Sequence, residues 1–173
     1  MHDLGLSAWF GGTLANAVAL NAAAAQAGSH SDSGAVANTG WNRWTPVNAV
    51  AIGMHLVGSV AQLGGNAERV NAQQGVAKMV VVKTAVTAAA LGATAYSRTL
   101  GAKVSQQTNV PTESGTEPAL TTPPDVASAQ RQLSLLQWAI PALTGGLVVI
   151  SSFAGEQQRA SEVHKGVFGR LFS

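Results

Sequence analysis

The segment Pro46–Gly65, PVNAVAIGMHLVGSVAQLGG, contains no Asp, Glu, Lys or Arg. The neutral interval around it runs from residue 44 to residue 67. An α-helix rises about 1.5 Å per residue, so about 20 residues cross the ~30 Å hydrocarbon core of a bilayer. The segment is therefore long enough to form a transmembrane helix, and a single histidine, His55, lies in its middle.

Neutral intervals recur elsewhere in the 173-residue chain. Residues 4–31 and 132–155 carry no formal charge, and the shorter interval 84–97 reaches spanning length when Lys83 is admitted near one end. A lysine can extend its ammonium to the headgroups while its stem stays in hydrocarbon. The sequence thus predicts an all-α, integral membrane four-helix bundle, a single domain whose spans lie at about 5–26, 47–64, 79–97 and 133–153.

Composition supports lipid over water as the solvent of these segments. Only 10% of the residues are charged, against about 25% in soluble domains. A soluble four-helix bundle, the alternative, needs a charged outer face on each helix, and these segments have none. The absence of cysteine excludes disulfides, zinc–thiolate sites and a thiol nucleophile. A net charge of +2 is too small and dispersed to indicate a nucleic-acid partner.

The connections differ in composition. The polar stretch 27–46 is expected to be a loop, with Trp41, Arg43 and Trp44 as interfacial anchors before a helix that begins at Pro46. Residues 98–131 are rich in Pro, Thr and Ser and predict a mobile loop between helices 3 and 4. The basic tail 156–173 fits either a helix on the membrane surface or a frayed end.

The two ends of the bundle differ in charge. With four spans, six Lys and Arg residues lie on the side of the termini and four on the other side. The excess favours an orientation with both termini in the cytoplasm. A cleaved signal peptide competes for the first span, because AQA at 25–27 fits a cleavage site. The sequence MHD before that span contains no Lys or Arg, which favours a retained helix.

One polar edge runs along each predicted span. Asn48, His55 and Gln62 are seven residues apart on one helix face, and Ser59 lies on that face as well. Unpaired amides and hydroxyls in hydrocarbon cost several kcal/mol each, so these edges are expected to face inward as a polar seam. The other spans contribute Asn16, Lys83, Thr87 and Gln137. Close helix approach is expected at small residues four apart, namely Gly11 and Ala15, Ala49 and Gly53, and Ala88 and Gly92.

His55 has several possible roles. A haem needs a second axial ligand, and the other histidines, His2, His30 and His164, lie outside the predicted spans. A metal site needs more ligands than the seam supplies, so no metal or cofactor is expected. A proton relay, a hydrogen bond to a quinone and a neutral histidine packed within the bundle remain open. Lys83 has no carboxylate within the spans, and it either snorkels or binds an anionic headgroup or a partner subunit.

Four pieces of the chain resemble a family of small four-span membrane proteins of high-GC actinobacteria: GWNRWTPVNAVAIGMHLVG (40–58), VVKTAVTAAALGATAYS (81–97), LQWAIPALTGG (136–146) and GEQQR (155–159). In span number and size the chain is also similar to DoxX-like four-helix membrane proteins. The resemblance covers most of the chain outside 104–128. It implies an inner-membrane location and supplies no catalytic residues.

The sequence contains no nucleophile–base set, phosphate loop or pair of intramembrane carboxylates. An enzyme is therefore not indicated. The chain is expected to be an accessory or scaffold protein that packs in the lipid bilayer against itself or against a larger membrane complex. The alternative is a protein that handles a small solute or a quinone through the seam around His55.

Overall fold

The structure, a computed structural model, describes residues 1–65, 67, 74–107 and 110–156. Regular structure in this part of the chain is helical, apart from one isolated bridge between Thr112 and Pro118. The all-α prediction is confirmed. Arg69, in the connection between the second and third predicted spans, and the basic tail from 157 onward lie outside the described residues.

The first helical segment is divided in three. Helix α1 (His2–Ala15) passes into a π-helical turn (Asn16–Leu20) and then into α2 (Asn21–Ala25). Three long helices follow: α3 (His30–Gly65), α4 (Gln74–Ser105) and α5 (Pro124–Glu156). By length and composition, α3, α4 and α5 can each cross a membrane. These helices contain the second, third and fourth predicted spans, and the first predicted span falls in the divided segment.

The helices are antiparallel to their neighbours, and α1 lies at the centre of the arrangement. It packs against both α3 and α5, and α5 packs in turn against α4. Helices α3 and α4 are joined at one end by side chains: Arg98 donates to the amide oxygen of Asn42 at 3.2 Å, and Ser105 donates to Asn38 at 3.2 Å. The remaining length of the α3–α4 side is less tightly packed, and this opening positions the site described below.

Glycines bring α1 and α3 into backbone contact. A Cβ added at Gly5 would lie 2.4 Å from the carbonyl oxygen of Ala51 and 2.6 Å from the backbone nitrogen of His55. A Cβ at Gly58 would lie 2.5 Å from the backbone nitrogen of His2. The glycines expected to mediate such approach do not do so among the described residues, because a Cβ at Gly11, Gly53 or Gly92 would have nothing within 4 Å there. The GxxxG-like spacing alone does not say which small residues meet a neighbour.

Helix α3 begins at His30, well before the position after Pro46 where the sequence predicted its start. The hydroxyl oxygen of Ser29 accepts the backbone N–H of Asp32 at 3.2 Å and thereby caps the new N-terminus. Pro46 lies inside the helix and removes only the one N–H that would reach Asn42. The predicted polar loop 27–46 is thus largely an extension of α3.

The connection between α4 and α5 is shorter than the predicted loop 98–131, because α4 continues to Ser105 and α5 begins at Pro124. Its described residues fold back onto α3, where Thr112 donates its backbone N–H to the carbonyl of His30 at 3.1 Å. Thr112, Ser114 and Thr116 are buried. The low apolar content of this connection predicted that it would be mobile and would not pack against the helices. Hydrogen bonds of threonine, rather than buried apolar surface, hold it against them.

Candidate functional site

A cavity of about 330 Å³ lies between α3 and α4. Its size is within the range of small-molecule sites. Apolar side chains form most of its inner wall, including Ile52 of α3, Leu91 of α4 and Ile140 of α5. Polar groups enter it from the same helices and from the connection, namely Trp44, Asn48, Thr94, Thr116 and Gln137.

Three residues that line this cavity each carry one buried polar atom without a hydrogen-bond partner among the described residues. The atoms are Nε1 of Trp44, Oδ1 of Asn48 and Oγ1 of Thr94. Each has less than 1 Å² of accessible surface, so neighbouring protein atoms cover it and a molecule in the cavity does not reach it. The cavity therefore offers the other surfaces of these side chains, not these three atoms.

A hydrogen-bonded cluster closes the end of the cavity nearest the α4–α5 connection. Asn21 donates to the amide oxygen of Gln137 at 2.7 Å and accepts the indole N–H of Trp41 at 3.1 Å. Thr116 donates to the same oxygen of Gln137 at 3.3 Å. The π-helical turn, which adds a residue to the first segment, precedes Asn21 directly. The polar side chains at this end of the cavity therefore pair with one another.

Charge is sparse at the cavity. Among the described residues that line it, Arg98 is the charged one; it is exposed, and its guanidinium is directed to Asn42. Asn42 precedes Trp44 and Asn48 along α3, so Arg98 reaches toward the end of the cavity and not toward its unpaired atoms. The wall offers hydrogen bonds without a countercharge.

A second polar cluster surrounds His55, about two helical turns beyond Asn48 on the same face of α3, where α1 covers it. His55 is fully buried, and neither ring nitrogen has a hydrogen-bond partner among the described residues. Its ring lies 4.5 Å from the ring of His2 and 6.2 Å from that of Trp9, measured between centroids. His55 is thus enclosed by α1 rather than exposed to the cavity.

His2 connects this cluster to two charged residues. Its Nδ1 lies 2.6 Å from a carboxylate oxygen of Asp3, and its Nε2 lies 3.5 Å from Nζ of Lys83. One ring nitrogen of His2 thus faces a carboxylate and the other faces an ammonium. Lys83 was expected to have no carboxylate in reach within the spans, and the structure brings Asp3 to it through His2.

The predicted seam residues do not form one continuous site. Asn48 faces the cavity and His55 faces α1, while Ser59 donates to the carbonyl of His55 at 2.8 Å and Gln62 is exposed. Gln137 lies in the cluster at the closed end. The remaining three are half-buried: Asn16 in the π-helical turn, and Lys83 and Thr87 on α4.

The proposed interfacial anchors separate in the same way. Trp41 and Trp44 are half-buried and turn toward Asn21 and the cavity, respectively, whereas Arg43 is exposed. The inward placement gives both indoles a role in the wall of the site. Each indole also stays partly exposed, and its placement at a headgroup boundary remains a prediction.

Sequence reasoning missed His2, Asp3 and Asn21 as members of these clusters. A signal for the first two is present: Gly5 and Gly12 are seven residues apart on one face of α1, which marks the face that contacts α3. A Cβ at Gly12 would collide with the ring of Trp44. No comparable pattern marks Asn21, because its position depends on the π-helical turn.

Within the described ranges, no three His, Asp or Glu side chains come close enough to hold a metal ion. A comparison of the chain with protein-family models, with curated proteins and with solved structures finds no match.

Proposed function

We propose that this chain is a non-enzymatic integral membrane protein that binds a lipid-soluble small molecule in the cavity between α3 and α4. The proposal rests on an apolar cavity of about 330 Å³ whose lining includes a few polar side chains, among them Trp44, Asn48 and Thr94. A ligand with a polar head and an apolar body matches such a lining.

The outer surface supports a membrane location. Large apolar side chains are exposed along α3, α4 and α5, and only 6% of the most apolar window of α4 is buried inside the chain. Exposed apolar area of this extent is typical of contact with lipid. Examples are Val50, Val60, Val81, Leu135 and Val149. The proposal places the chain in a bacterial cytoplasmic membrane with the Lys78 end of α4 toward the cytoplasm.

The cavity changes the order of the two functions that the sequence suggests. The sequence favours an accessory or scaffold protein first and a small-solute or quinone-handling protein second. The apolar cavity with its few polar side chains favours the second class, and Asn48 is one of the lining residues that would meet the ligand. His55 does not line the cavity, so its part in this proposal is to pack α1 against α3.

Blocking the cavity tests the proposal. Ala95 lines the cavity and is exposed, so Ala95→Phe fills part of it without a buried clash. The protein is labelled with decyl diazirine in lipid nanodiscs, and specific labelling of α4 is the part that unlabelled decane displaces. We expect this specific labelling to fall about tenfold in Ala95→Phe. Ala85→Phe is the matched control, because Ala85 is exposed on the same helix and lies outside the cavity lining.

Two results of this experiment contradict the proposal. One is wild-type labelling that decane does not displace, because binding at a defined site saturates and can be competed for. The other is an equal loss of labelling in Ala95→Phe and Ala85→Phe. The labelled positions are read by peptide mass, and circular dichroism confirms that both variants keep their helix content.

The scaffold function remains a second candidate on a separate observation. Gly53 of α3 and Gly92 of α4 have nothing within 4 Å of an added Cβ, and small residues that face lipid permit close approach of another helix. The chain contains no cysteine, so single cysteines report contacts cleanly. Self-association predicts oxidative cross-links for Gly53→Cys that exceed those of Val60→Cys, an exposed control on α3. Equal, low cross-linking at both positions argues against it.

A further inference from the structure

Resting on the proposed membrane location but not on a ligand in the cavity, we infer that Arg43, Arg98 and Arg131 form an arginine belt that binds the phosphate groups of membrane lipids. The three lie on different helices, and they are all the arginines in the ranges that the structure describes. The chain beyond the belt is then a cap outside the bilayer. The cap consists of residues 30–42, 99–107 and 110–130.

Side-chain contacts place the three arginines at about the same height along the bundle. Arg98 of α4 donates at 3.2 Å to the side chain of the residue that precedes Arg43 on α3. The hydroxyl of Tyr96, also on α4, donates to Gln132 of α5, the residue that follows Arg131. The helices that carry these pairs are antiparallel to their neighbours, so the belt crosses all three at one level.

The belt lies one hydrocarbon thickness from the opposite end of the helices. Lys78 precedes Arg98 by 20 residues on α4, which is about 30 Å of helix and matches a bilayer core. On α3, Arg43 lies 22 residues before Gly65, where the helix ends. Over this distance the described parts of α3, α4 and α5 contain no Asp or Glu, and Lys83 is their one formal charge. The remaining length of each helix must project beyond the core.

The placement of apolar side chains reverses at the belt. The cap contains a hydrophobic cluster of buried residues: Leu100, Val104, Val126 and Ala129. On the other side of the belt, Val50, Val81 and Leu135 are 64%, 67% and 74% exposed. Among the described residues of the cap, Val36 and Leu120 are the large apolar side chains that stay exposed. Apolar groups turned inward suit water, and apolar groups turned outward suit lipid.

Aromatic side chains accompany the belt. Trp41 and Trp44 flank Arg43, and Tyr96 lies two residues before Arg98. All three aromatic side chains stay at least partly exposed. Indole and phenol groups, with one apolar and one polar end, collect at the interface between membrane and water. Their position supports a membrane boundary at the level of the arginines.

The belt arginines have no carboxylate partner in the described part of the chain. Each is exposed, and the ion pairs found there involve histidine rather than arginine. On α5, Asp125 lies six residues from Arg131, about 9 Å along the helix; on α3, Asp32 is farther still from Arg43. A guanidinium binds a phosphate through two parallel hydrogen bonds. A lipid phosphate at the boundary supplies the anion that the protein does not.

Cysteine accessibility tests the level of the belt. The chain contains no cysteine, so single cysteines report their own positions. The four exposed positions are Ala35→Cys and Ser128→Cys in the cap, and Val50→Cys and Ala139→Cys on the other side of the belt. In nanodiscs of phosphatidylglycerol and phosphatidylcholine, a sulfonated maleimide is expected to label the cap positions at least about tenfold faster, because hydrocarbon excludes a charged reagent.

Lipid titration tests the phosphate. Protein in a neutral detergent is titrated with dioleoylphosphatidylglycerol or with dioleoylglycerol, which has the same acyl chains and no phosphate, and bound lipid is counted by native mass spectrometry. Arg131→Gln is expected to weaken binding of the phospholipid about fivefold and to leave dioleoylglycerol unchanged. Lys103→Gln is the control of equal charge, because Lys103 is exposed in the cap, five residues beyond Arg98. It should bind the phospholipid as the wild type does.

The possible failures are distinguishable. Labelling of Val50→Cys and Ala139→Cys at the rate of the cap positions overturns the membrane location and the belt together. Protected cap cysteines overturn the belt alone. Equal affinity for the two lipids, an equal loss in Arg131→Gln and Lys103→Gln, or competition by inorganic phosphate does the same.

Neither readout uses decyl diazirine, so the cavity proposal stands or falls separately. Circular dichroism confirms the helix content of each variant. If Arg131→Gln loses helix content, Arg43→Gln takes its place with the same expected loss of affinity.

Discussion

Gly5→Ala is expected to destabilise the protein by about 3 kcal/mol, at the upper end of the range for overpacked sites. The added Cβ would lie 2.4 Å from the Ala51 carbonyl oxygen and 2.6 Å from the His55 nitrogen. Both are backbone atoms of α3, which cannot rotate out of the way as a side chain can. The helices α1 and α3 must separate, and the contacts of His2 and Trp9 with His55 are lost with them.

Gly11→Ala is the matched control on the same helix. A Cβ at Gly11 has nothing within 4 Å, so the substitution should stabilise α1 by up to about 1 kcal/mol through helix propensity alone. The measurement is unfolding in mixed micelles with increasing SDS, followed by circular dichroism. Equal stability of the two variants would mean that α1 does not pack on α3 in this register.

His55→Ala is expected to cost about 2–4 kcal/mol and to lower the abundance of the protein, because it leaves a void between α3 and the rings of His2 and Trp9. His55→Leu is expected to retain wild-type stability. Leucine fills a similar volume and removes two ring nitrogens that have no partner among the described residues. Thermal unfolding and steady-state abundance in membranes distinguish these variants.

The same pair of variants answers whether His55 is a packing residue or a working group. Because His55 does not line the cavity, decyl diazirine should label His55→Leu as it labels the wild type. Decane should displace the label from both proteins to the same extent. Loss of labelling in His55→Leu with unchanged abundance would instead assign His55 to the function, and a loss of abundance in His55→Leu would show that the imidazole itself is needed for folding.

The helical character of the chain could be predicted because the neutral intervals of the sequence determine it directly. The start of α3 at His30 was also readable: Ser29 and Asp32 have the spacing of an N-terminal cap, although the polar composition of 27–46 pointed to a loop. Composition was the weaker guide there, since a helix that is anchored by its neighbours does not need an apolar sequence throughout.

The site was predicted only in part. The face of α3 that carries Asn48 and His55 follows from seven-residue spacing, but the two residues meet different neighbours. Which neighbour each residue meets depends on the register between α1 and α3. Contacts at Gly5 and Gly58 determine this register, and they join residues that are far apart in the sequence. The cavity depends on α3 and α4 remaining apart, and no local pattern encodes a gap between two helices.

The placement of α1 between α3 and α5 has a mechanical consequence. In the described chain, α1 with α3 forms one antiparallel hairpin and α4 with α5 forms another, and the two hairpins pack along α1 and α5. The cavity borders that line of contact, since Thr13 of α1 and Ile140 of α5 are part of its lining. A few degrees of rotation about the α1–α5 axis, where the ring of Phe10 lies over Gly145, would widen or narrow the space between α3 and α4. Under the proposed function, Phe10, which is not part of the lining, would then influence how fast a ligand exchanges.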